Sequence, residues 1–182
     1  MLFRSDLTTK NFCSYFRVQR DGEILGDVIL NIPGAHNTLN ALAAIALASE
    51  IGVPFDKIAA ALETFRGARR RFEILYGSPR QIVVDDYGHH PTEIAATLAT
   101  ARTGPNNRVI VMFQPHRFTR TQALRDLFGM AFQKADHVFV SDIYPASEAP
   151  IPGITGQTIV DSAAANGHAS VDRKSTRLNS SH

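Results

Sequence analysis

Within residues 83–93 (VVDDYGHHPTE), the stretch 85–90 places two carboxylates and two imidazoles in one short turn. Asp85 and Asp86 end an apolar run, and His89 and His90 precede a proline and a predicted helix. Titratable side chains seldom gather in a turn unless they bind a polar ligand or a metal ion. Open α/β sheets bind ligands beyond the carboxyl ends of their strands, where this turn is predicted to lie. The turn therefore indicates a binding or catalytic site.

Two further polar clusters follow predicted strands. Residues 114–117 (QPHR) come after a strand at 108–113, and residues 142–144 (DIY) come after a strand at 137–141. Predicted helices begin shortly after the first two of the three clusters, so their N-termini would direct positive dipole ends toward the same edge. With the guanidinium of Arg120 nearby, this mixture suits anionic substrates handled with a cation.

A structural role is the alternative for single residues of these clusters. Asp86 and Thr92 are of types that cap turns and helix starts. Capping requires neither His nor Arg, so three polar clusters at three strand ends favour a functional site.

A metal-dependent hydrolase is a second alternative. Asp86, His89, His90 and His116 are of residue types that bind zinc or manganese. The chain has no H-x-x-x-H or H-E-x-x-H pair on a helix, which disfavours this interpretation. A non-enzymatic module that binds an amino acid or a nucleotide is a third alternative.

The elements that must position these clusters fall into two groups. Residues 6–32 have the pattern of extended strands with an Asp-Gly turn at 21–22, and helices are predicted at 37–51 and 55–65. Beyond a boundary near residues 75–80, three predicted strands alternate with two helices, which is typical of a parallel sheet. The strands lie at 81–85, 108–113 and 137–141, and the helices at 92–102 and 119–133.

Composition narrows the function classes. The 182 residues are 44% hydrophobic with a net charge of +2, and residues 172–182 account for that whole charge, which gives no argument for nucleic-acid binding. A single cysteine, Cys13, excludes an internal disulfide and suits a reducing compartment. Without an apolar run long enough for a membrane or a signal sequence, a cytoplasmic location is expected.

Residues 172–182 (DRKSTRLNSSH) form an aperiodic tail. A disordered basic tail is one explanation. The segment also resembles the translation of a sequencing adapter, so we expect it to be non-native.

Two other segments carry side chains suited to a nucleotide. His36, Asn37 and Asn40 lie at a predicted helix start, where side-chain amides could pair with a base. Asn37 could equally be an N-cap. The run 69–71 (RRR) could be a solvated surface or could bind phosphate at the domain boundary.

Five motifs together resemble the Mur ligase family, which builds the peptidoglycan precursor. They are residues 33–41 (PGAHNTLNA), 65–72 (FRGARRRF), 85–93 (DDYGHHPTE), 113–121 (FQPHRFTRT) and 142–153 (DIYPASEAPIPG). The resemblance implies an α/β fold: residues 1–75 end the central ATP-binding domain, and 76–171 form a truncated C-terminal domain. That domain would have a Rossmann-like, mainly parallel sheet flanked by helices.

The resemblance also implies an activity. ATP with Mg²⁺ would activate the carboxylate of UDP-N-acetylmuramate as an acyl phosphate, and L-alanine would attack it to form an amide. The family member that recycles murein tripeptide is an alternative, but it differs at the fourth motif. No nucleic-acid or membrane partner is expected. Residue roles carry over by motif: cofactor binding by His36, Asn37, Asn40, Arg71 and Asp86; substrate binding by Tyr87, His89, His116, Arg117 and Arg120; and catalysis by Arg71, Asp86, His89 and His116.

One family feature is absent from the sequence. No G-x-x-x-x-G-K-[ST] phosphate-binding loop occurs anywhere in the chain. We therefore expect an internal fragment of a longer ligase, in which most of the ATP and Mg²⁺ site lies elsewhere and which is inactive alone.

Overall fold

A computed structural model of the protein describes residues 2–104 and 108–174. The chain divides into two compact units. The N-terminal unit comprises residues 1–87 and 103–106, and the C-terminal unit comprises residues 88–102 and 107–182. This division falls inside the 83–93 motif. The family-based domain boundary between residues 75 and 76 stays a prediction.

The N-terminal unit begins with an antiparallel sheet of β1 (Leu2–Lys10), β2 (Cys13–Arg20) and β3 (Glu23–Leu30). The turn between β2 and β3 is the expected Asp-Gly pair, and both residues have positive φ, as a tight hairpin requires. Helices α1 (Ala35–Glu50) and α2 (Phe55–Thr64) follow, close to their predicted ranges. The sheet and both helices share one apolar core: Phe16, Val18, Val28, Leu30, Ala41, Ile45 and Ile58.

A second sheet in the N-terminal unit corrects one prediction. Strand β5 (Ile82–Asp85) pairs antiparallel with β4 (Glu73–Gly77), whereas the sequence pattern had assigned it to the parallel sheet. The two strands are joined by a short turn in which the Ser78 amide donates to the Gln81 carbonyl over 2.8 Å. An apolar strand pattern does not specify the pairing direction, and an adjacent apolar segment four residues away provides the nearest partner.

The C-terminal unit contains the predicted parallel sheet. Strands β6 (Ile110–Phe113), β7 (His137–Val140) and β8 (Val171–Arg173) pair in parallel in that order. The helices of this unit are α3 (Pro91–Ala101), α4 (Phe118–Ala123), α5 (Arg125–Ala131) and α6 (Gly156–Ala165). One core joins β6 and β7 to α3, α5 and α6; its largest side chains are Phe113, Phe128, Phe132, Ile159 and Leu98.

Two helical features differ from the expectation. The single helix predicted at 119–133 is divided at Leu124, whose φ of −109° and ψ of 15° are not helical. Helix α6 was not predicted, although Thr155 begins it with a capping box that includes Thr158. Its alanine-rich pattern contains little apolar periodicity, which explains why the sequence analysis missed it.

The predicted non-native tail lies partly within the sheet. Strand β8 ends at Arg173, and the Lys174 amide donates to the Val140 carbonyl over 2.9 Å. Arg173 also pairs with Asp142 at 2.8 Å. Residues 175–182 lie outside the described residues, and the non-native origin of 172–182 stays a prediction.

The composition raised two points, the state of the single cysteine and the presence of membrane-spanning helices. Cys13 is a free thiol, half-buried, and it donates to Asn31 Oδ1 over 3.1 Å. Within 2–104 and 108–174, no helix is both long enough and apolar enough to cross a membrane.

Candidate active-site edge

The segments that follow β6 and β7 lie side by side. The Tyr144 amide donates to the Pro115 carbonyl over 2.8 Å, and the Arg117 amide donates to the Tyr144 carbonyl over 2.9 Å. His116 and Tyr144 form an isolated parallel bridge, so the strand pairing continues beyond the strand ends. The expectation that the second and third polar clusters meet at one edge is thereby confirmed.

The first cluster contributes a histidine to the same place. The His116 ring neighbours two other rings, with its centroid 5.4 Å from that of Tyr144 and 6.0 Å from that of His89. His89 belongs to the C-terminal unit and precedes α3. We call the set His89, His116, Arg117, Arg120 and Tyr144 the polar edge.

The chemistry of the polar edge is cationic and partly desolvated. Burial lowers the pKa of His116, and the positive charges of Arg120, His89 and Arg117 lower it further. His116 Nδ1 and Arg120 Nη1 are buried and have no hydrogen-bond partner among the described residues. Buried polar atoms without a partner are uncommon in folded proteins and call for an explanation such as a ligand. The polar edge can therefore accept an anionic or hydrogen-bonding group.

The N-terminus of α3 is capped by its own segment. The Thr92 amide donates to His90 Nδ1 over 3.3 Å, and Glu93 Oε2 accepts from the amides of His89 and His90 at 3.0 and 3.1 Å. His90 is thus the N-cap, so the inference that capping needs no histidine was wrong at this position. Thr92 is not the cap, because it contributes its backbone amide.

The N-terminus of α4 is capped from a distant loop. Glu148 accepts hydrogen bonds from the Thr119 amide at 3.0 Å and the Thr119 hydroxyl at 2.7 Å. These bonds, with help from the Phe118 amide and the Arg117 charge, lower the pKa of Glu148. The start of α4, like that of α3, is therefore bound by a protein group. That both helix N-termini direct positive dipole ends toward this edge stays a prediction, and the guanidinium side chains of the polar edge add positive charge there.

Glu148 is a residue whose role the sequence analysis missed. It lies in the fifth motif, 142–153, and no function was predicted for it. Its partner Thr119 lies 29 residues away, and no helix or strand periodicity connects the two positions. No signal in a single sequence could have identified this contact.

The remaining residues of the first cluster belong to the N-terminal unit and form a second polar group. The Arg70 guanidinium lies 4.7 Å from the Tyr87 ring centroid, and its Nε lies 3.4 Å from Asp85 Oδ2. The Tyr87 amide donates to the Arg70 carbonyl over 2.7 Å, and the Phe72 amide donates to Asp86 Oδ2 over 2.8 Å. Asp86 thus has a structural contact whatever ligand it binds.

Arg71 lies between Arg70 and Phe72, two residues that contact this second polar group. Its neighbours Arg70 and Phe72 both have positive φ, 57° and 49°, which is rare for side chains of this size. The Arg71 side chain is exposed. Its assignment to the ATP phosphates stays a prediction, as does the assignment of Asp86 to the ribose.

The three residues predicted to bind adenine lie in the first turns of α1. The N-cap is Gly34, with φ 103°, so the suggestion that Asn37 is the N-cap was wrong. Asn37 Nδ2 instead donates to the Pro33 carbonyl over 2.6 Å. His36 and Asn40 are exposed. Exposed amide and imidazole groups on one helix turn fit a purine edge, and their role in ATP binding stays a prediction.

The metal-hydrolase alternative lacks a ligand set in the described part of the chain. There, no group of three or more His, Cys, Asp or Glu side chains is arranged to hold a metal ion. His90 Nδ1 is engaged by the Thr92 amide.

Comparison with known proteins identifies the family. Residues 70–178 match the family model described as the Mur ligase, glutamate ligase domain. The chain belongs to the Mur ligase family. The match covers the polar edge, the Arg70–Tyr87 group, the parallel sheet of the C-terminal unit and the last three of the five motifs. The predicted resemblance to the family is confirmed.

Curated relatives agree with this assignment. The chain is 51% identical over 156 residues to the UDP-N-acetylmuramate–L-alanine ligase of Syntrophotalea carbinolica, covering 86% of this chain and 34% of that protein. It is 52% identical over 168 residues to the ligase of the same name from Solibacter usitatus, covering 92% and 35%. The chain therefore spans about a third of the length of these curated relatives.

Solved Mur ligases have the same fold. The UDP-N-acetylmuramate–alanine ligase of Thermotoga maritima superposes with a TM-score of 0.78 at 34% identity, covering 95% of this chain and 37% of that chain. A murein peptide ligase from Psychrobacter arcticus superposes with a TM-score of 0.59 at 26% identity, covering 96% and 36%.

Proposed function

We propose that this Mur ligase chain is a segment of an ATP-dependent enzyme that joins L-alanine to UDP-N-acetylmuramate. The observation that carries the proposal is identity above 50% to curated relatives bearing that name, over more than four fifths of the chain. The proposed reaction forms an amide bond in the synthesis of the peptidoglycan precursor. ATP and a nucleotide-linked sugar are cytoplasmic metabolites, so the proposal implies a cytoplasmic enzyme without a nucleic-acid or membrane partner.

The recycling ligase is the second candidate. Murein peptide ligase is similar in fold, but both its identity of 26% and its TM-score of 0.59 are lower than the 34% and 0.78 of the alanine ligase. The comparison supports L-alanine over a tripeptide as the amino substrate.

The polar edge suits the amino-acid side of this reaction. Arg117 and Arg120 bring two guanidinium groups to one helix, and a carboxylate such as that of L-alanine binds such groups with charge-assisted hydrogen bonds. Because the pKa of His116 is lowered, a neutral His116 would add no positive charge beside the incoming amine. Tyr87 and its partner Arg70 belong to the N-terminal unit, where Tyr87 is assigned to the substrate by motif.

ATP with Mg²⁺ would supply a phosphoryl group that activates the muramate carboxylate. In this chain, we assign His36, Asn37 and Asn40 to adenine, Asp86 to the ribose and Arg71 to the phosphates. A guanidinium at the phosphates would stabilise charge during transfer. The chain contains no phosphate-binding loop, so we expect the 182 residues alone to be inactive.

A chimera tests the proposal. Residues 1–171 of this chain would replace the matching third of the Thermotoga maritima alanine ligase, and product would be measured with UDP-N-acetylmuramate, ATP and either L-alanine or a murein tripeptide. We expect product with L-alanine and little with the tripeptide. Preference for the tripeptide would favour the recycling ligase, and a folded chimera without product from either amine would contradict both assignments.

A further inference from the structure

Glu148 connects a loop to the first residues of α4. Its two carboxylate oxygens accept from the amide and the hydroxyl of Thr119, at 3.0 and 2.7 Å, and Oε1 lies 3.9 Å from Arg117 Nη1. The carboxyl side chain is only 20% exposed. A carboxylate held by a backbone amide, a hydroxyl and a guanidinium is more strongly oriented than an isolated surface acid.

The backbone of Arg117 explains why α4 needs this outside contact. Arg117 is the N-cap, with φ 74°, and its own side chain makes no capping hydrogen bond. Its amide is bound by the Tyr144 carbonyl, and its carbonyl accepts from the Thr121 amide at 3.2 Å and hydroxyl at 2.9 Å. The left-handed conformation is thus fixed from both sides. The exposed amides of the first turn still require an acceptor, and Glu148 provides it.

The same carboxylate balances the charge of the polar edge. Arg120, His89 and Arg117 act on His116 as positive groups, and Glu148 acts in the opposite direction. Removing Glu148 would therefore change two separate properties. The start of α4 would lose an acceptor, and His116 would lose a negative charge that opposes its positive neighbours.

We propose that Glu148 is a positioning residue of the polar edge, which fixes the start of α4 and hence the placement of Arg117 and Arg120, and which limits the positive charge that an anionic ligand meets. The inference rests on the proposed function only for the identity of that ligand. Nothing in it requires that the chain catalyse ligation.

Two variants separate the two effects. Glu148→Gln keeps one acceptor oxygen for Thr119 but removes the charge, whereas Glu148→Ala removes both. Asp126→Asn is the control, because it removes an exposed acid of the same unit whose partner is Arg125. The readouts are amide hydrogen exchange at Thr119 and the pKa of the His116 imidazole by NMR titration, both on the 182-residue chain.

We expect Glu148→Ala to accelerate exchange at Thr119 about fivefold, the size typical of a lost helix cap, and Glu148→Gln to accelerate it less. Both Glu148 variants should lower the pKa of His116, and Asp126→Asn should not. Unchanged exchange in Glu148→Ala, or an unchanged His116 pKa in both Glu148 variants, would overturn the proposal. If Glu148→Ala does not fold, the pKa of His116 in Glu148→Gln tests the proposal alone: a lowered pKa supports it and an unchanged pKa overturns it. An inactive chimera would leave this result unaffected, so the two proposals fail independently.

Discussion

The amide of Arg117 donates to the carbonyl of Tyr144 over 2.9 Å, which extends the pairing of β6 and β7 by one rung beyond their ends. Next to this bond, the ring centroids of His116 and Tyr144 lie 5.4 Å apart, and Arg117 has a positive φ of 74°. Because main-chain atoms form the bond, side-chain substitutions on the polar edge should alter its chemistry while the edge itself remains.

The first prediction concerns pH. The pKa of His116 is lowered from its ordinary value of 6.5, so the unfolded chain binds a proton here at a higher pH than the folded chain does. Stability should therefore fall as the pH drops through about 6.5. The free energy of unfolding in urea, compared between about pH 8 and about pH 5.5, should decrease more for the wild type than for His116→Asn, whose side chain cannot titrate. Equal losses in both proteins would contradict the assignment.

The second prediction concerns Asp86. Its side chain accepts from the Phe72 amide, so Asp86→Ala should leave that amide without its acceptor. A lost hydrogen bond of about 1 kcal/mol corresponds to about fivefold faster amide exchange at Phe72. Asp86→Asn keeps an acceptor oxygen, so the Phe72 amide should exchange at close to the wild-type rate. Equal rates of amide exchange at Phe72 in Asp86→Ala and Asp86→Asn would contradict this structural role.

A third prediction separates Asn37 from Asn40. Asn37→Ala removes the bond to the Pro33 carbonyl and should cost about 1 kcal/mol in the free energy of unfolding. Asn40→Ala removes an exposed side chain from the same helix and should be neutral or slightly stabilising. Alanine has the same helix propensity at both positions, so the difference between the variants isolates the hydrogen bond. Similar unfolding curves for both would count against it.

The fourth prediction concerns the packing of α5 on α6. A Cβ atom at Gly129 would lie 2.6 Å from the Ser162 carbonyl oxygen, a backbone atom that cannot move cheaply. Gly129→Ala should therefore lower the free energy of unfolding by about 1–3 kcal/mol, in spite of the better helix propensity of alanine. The control is Met130→Ala on the exposed side of the same helix. A stabilised Gly129→Ala protein would show that the helices are packed less closely.

Much of the fold was predictable because it depends on local pattern. The helices α1, α2 and α3 follow apolar spacing. Because parallel strands end at one edge of a sheet, the sequence alone predicts that the segments of His116 and Tyr144 meet there. Hydrophobic periodicity is sufficient for such features. The family assignment also followed from motifs that are contiguous in the chain.

The predictions were wrong where the contacting residues are distant in the sequence, or where more than one residue type can make the same contact. An apolar run could not reveal that β5 pairs with β4. The polar character of His90 suggested chemistry, but its imidazole nitrogen caps α3. The contact of Glu148 with Thr119 depends on how two loops meet, and no periodicity encodes it.

The central claim is that the polar edge binds the amino-acid substrate. In the active chimera, Arg120→Ala would be compared with Arg125→Ala, an exposed arginine on α5 that pairs with Asp126. Loss of a charge-assisted hydrogen bond predicts that Arg120→Ala raises the KM for L-alanine at least about tenfold, with the KM for ATP nearly unchanged and Arg125→Ala like the parent. An unchanged KM for L-alanine, or a rise confined to the KM for ATP, would contradict the claim.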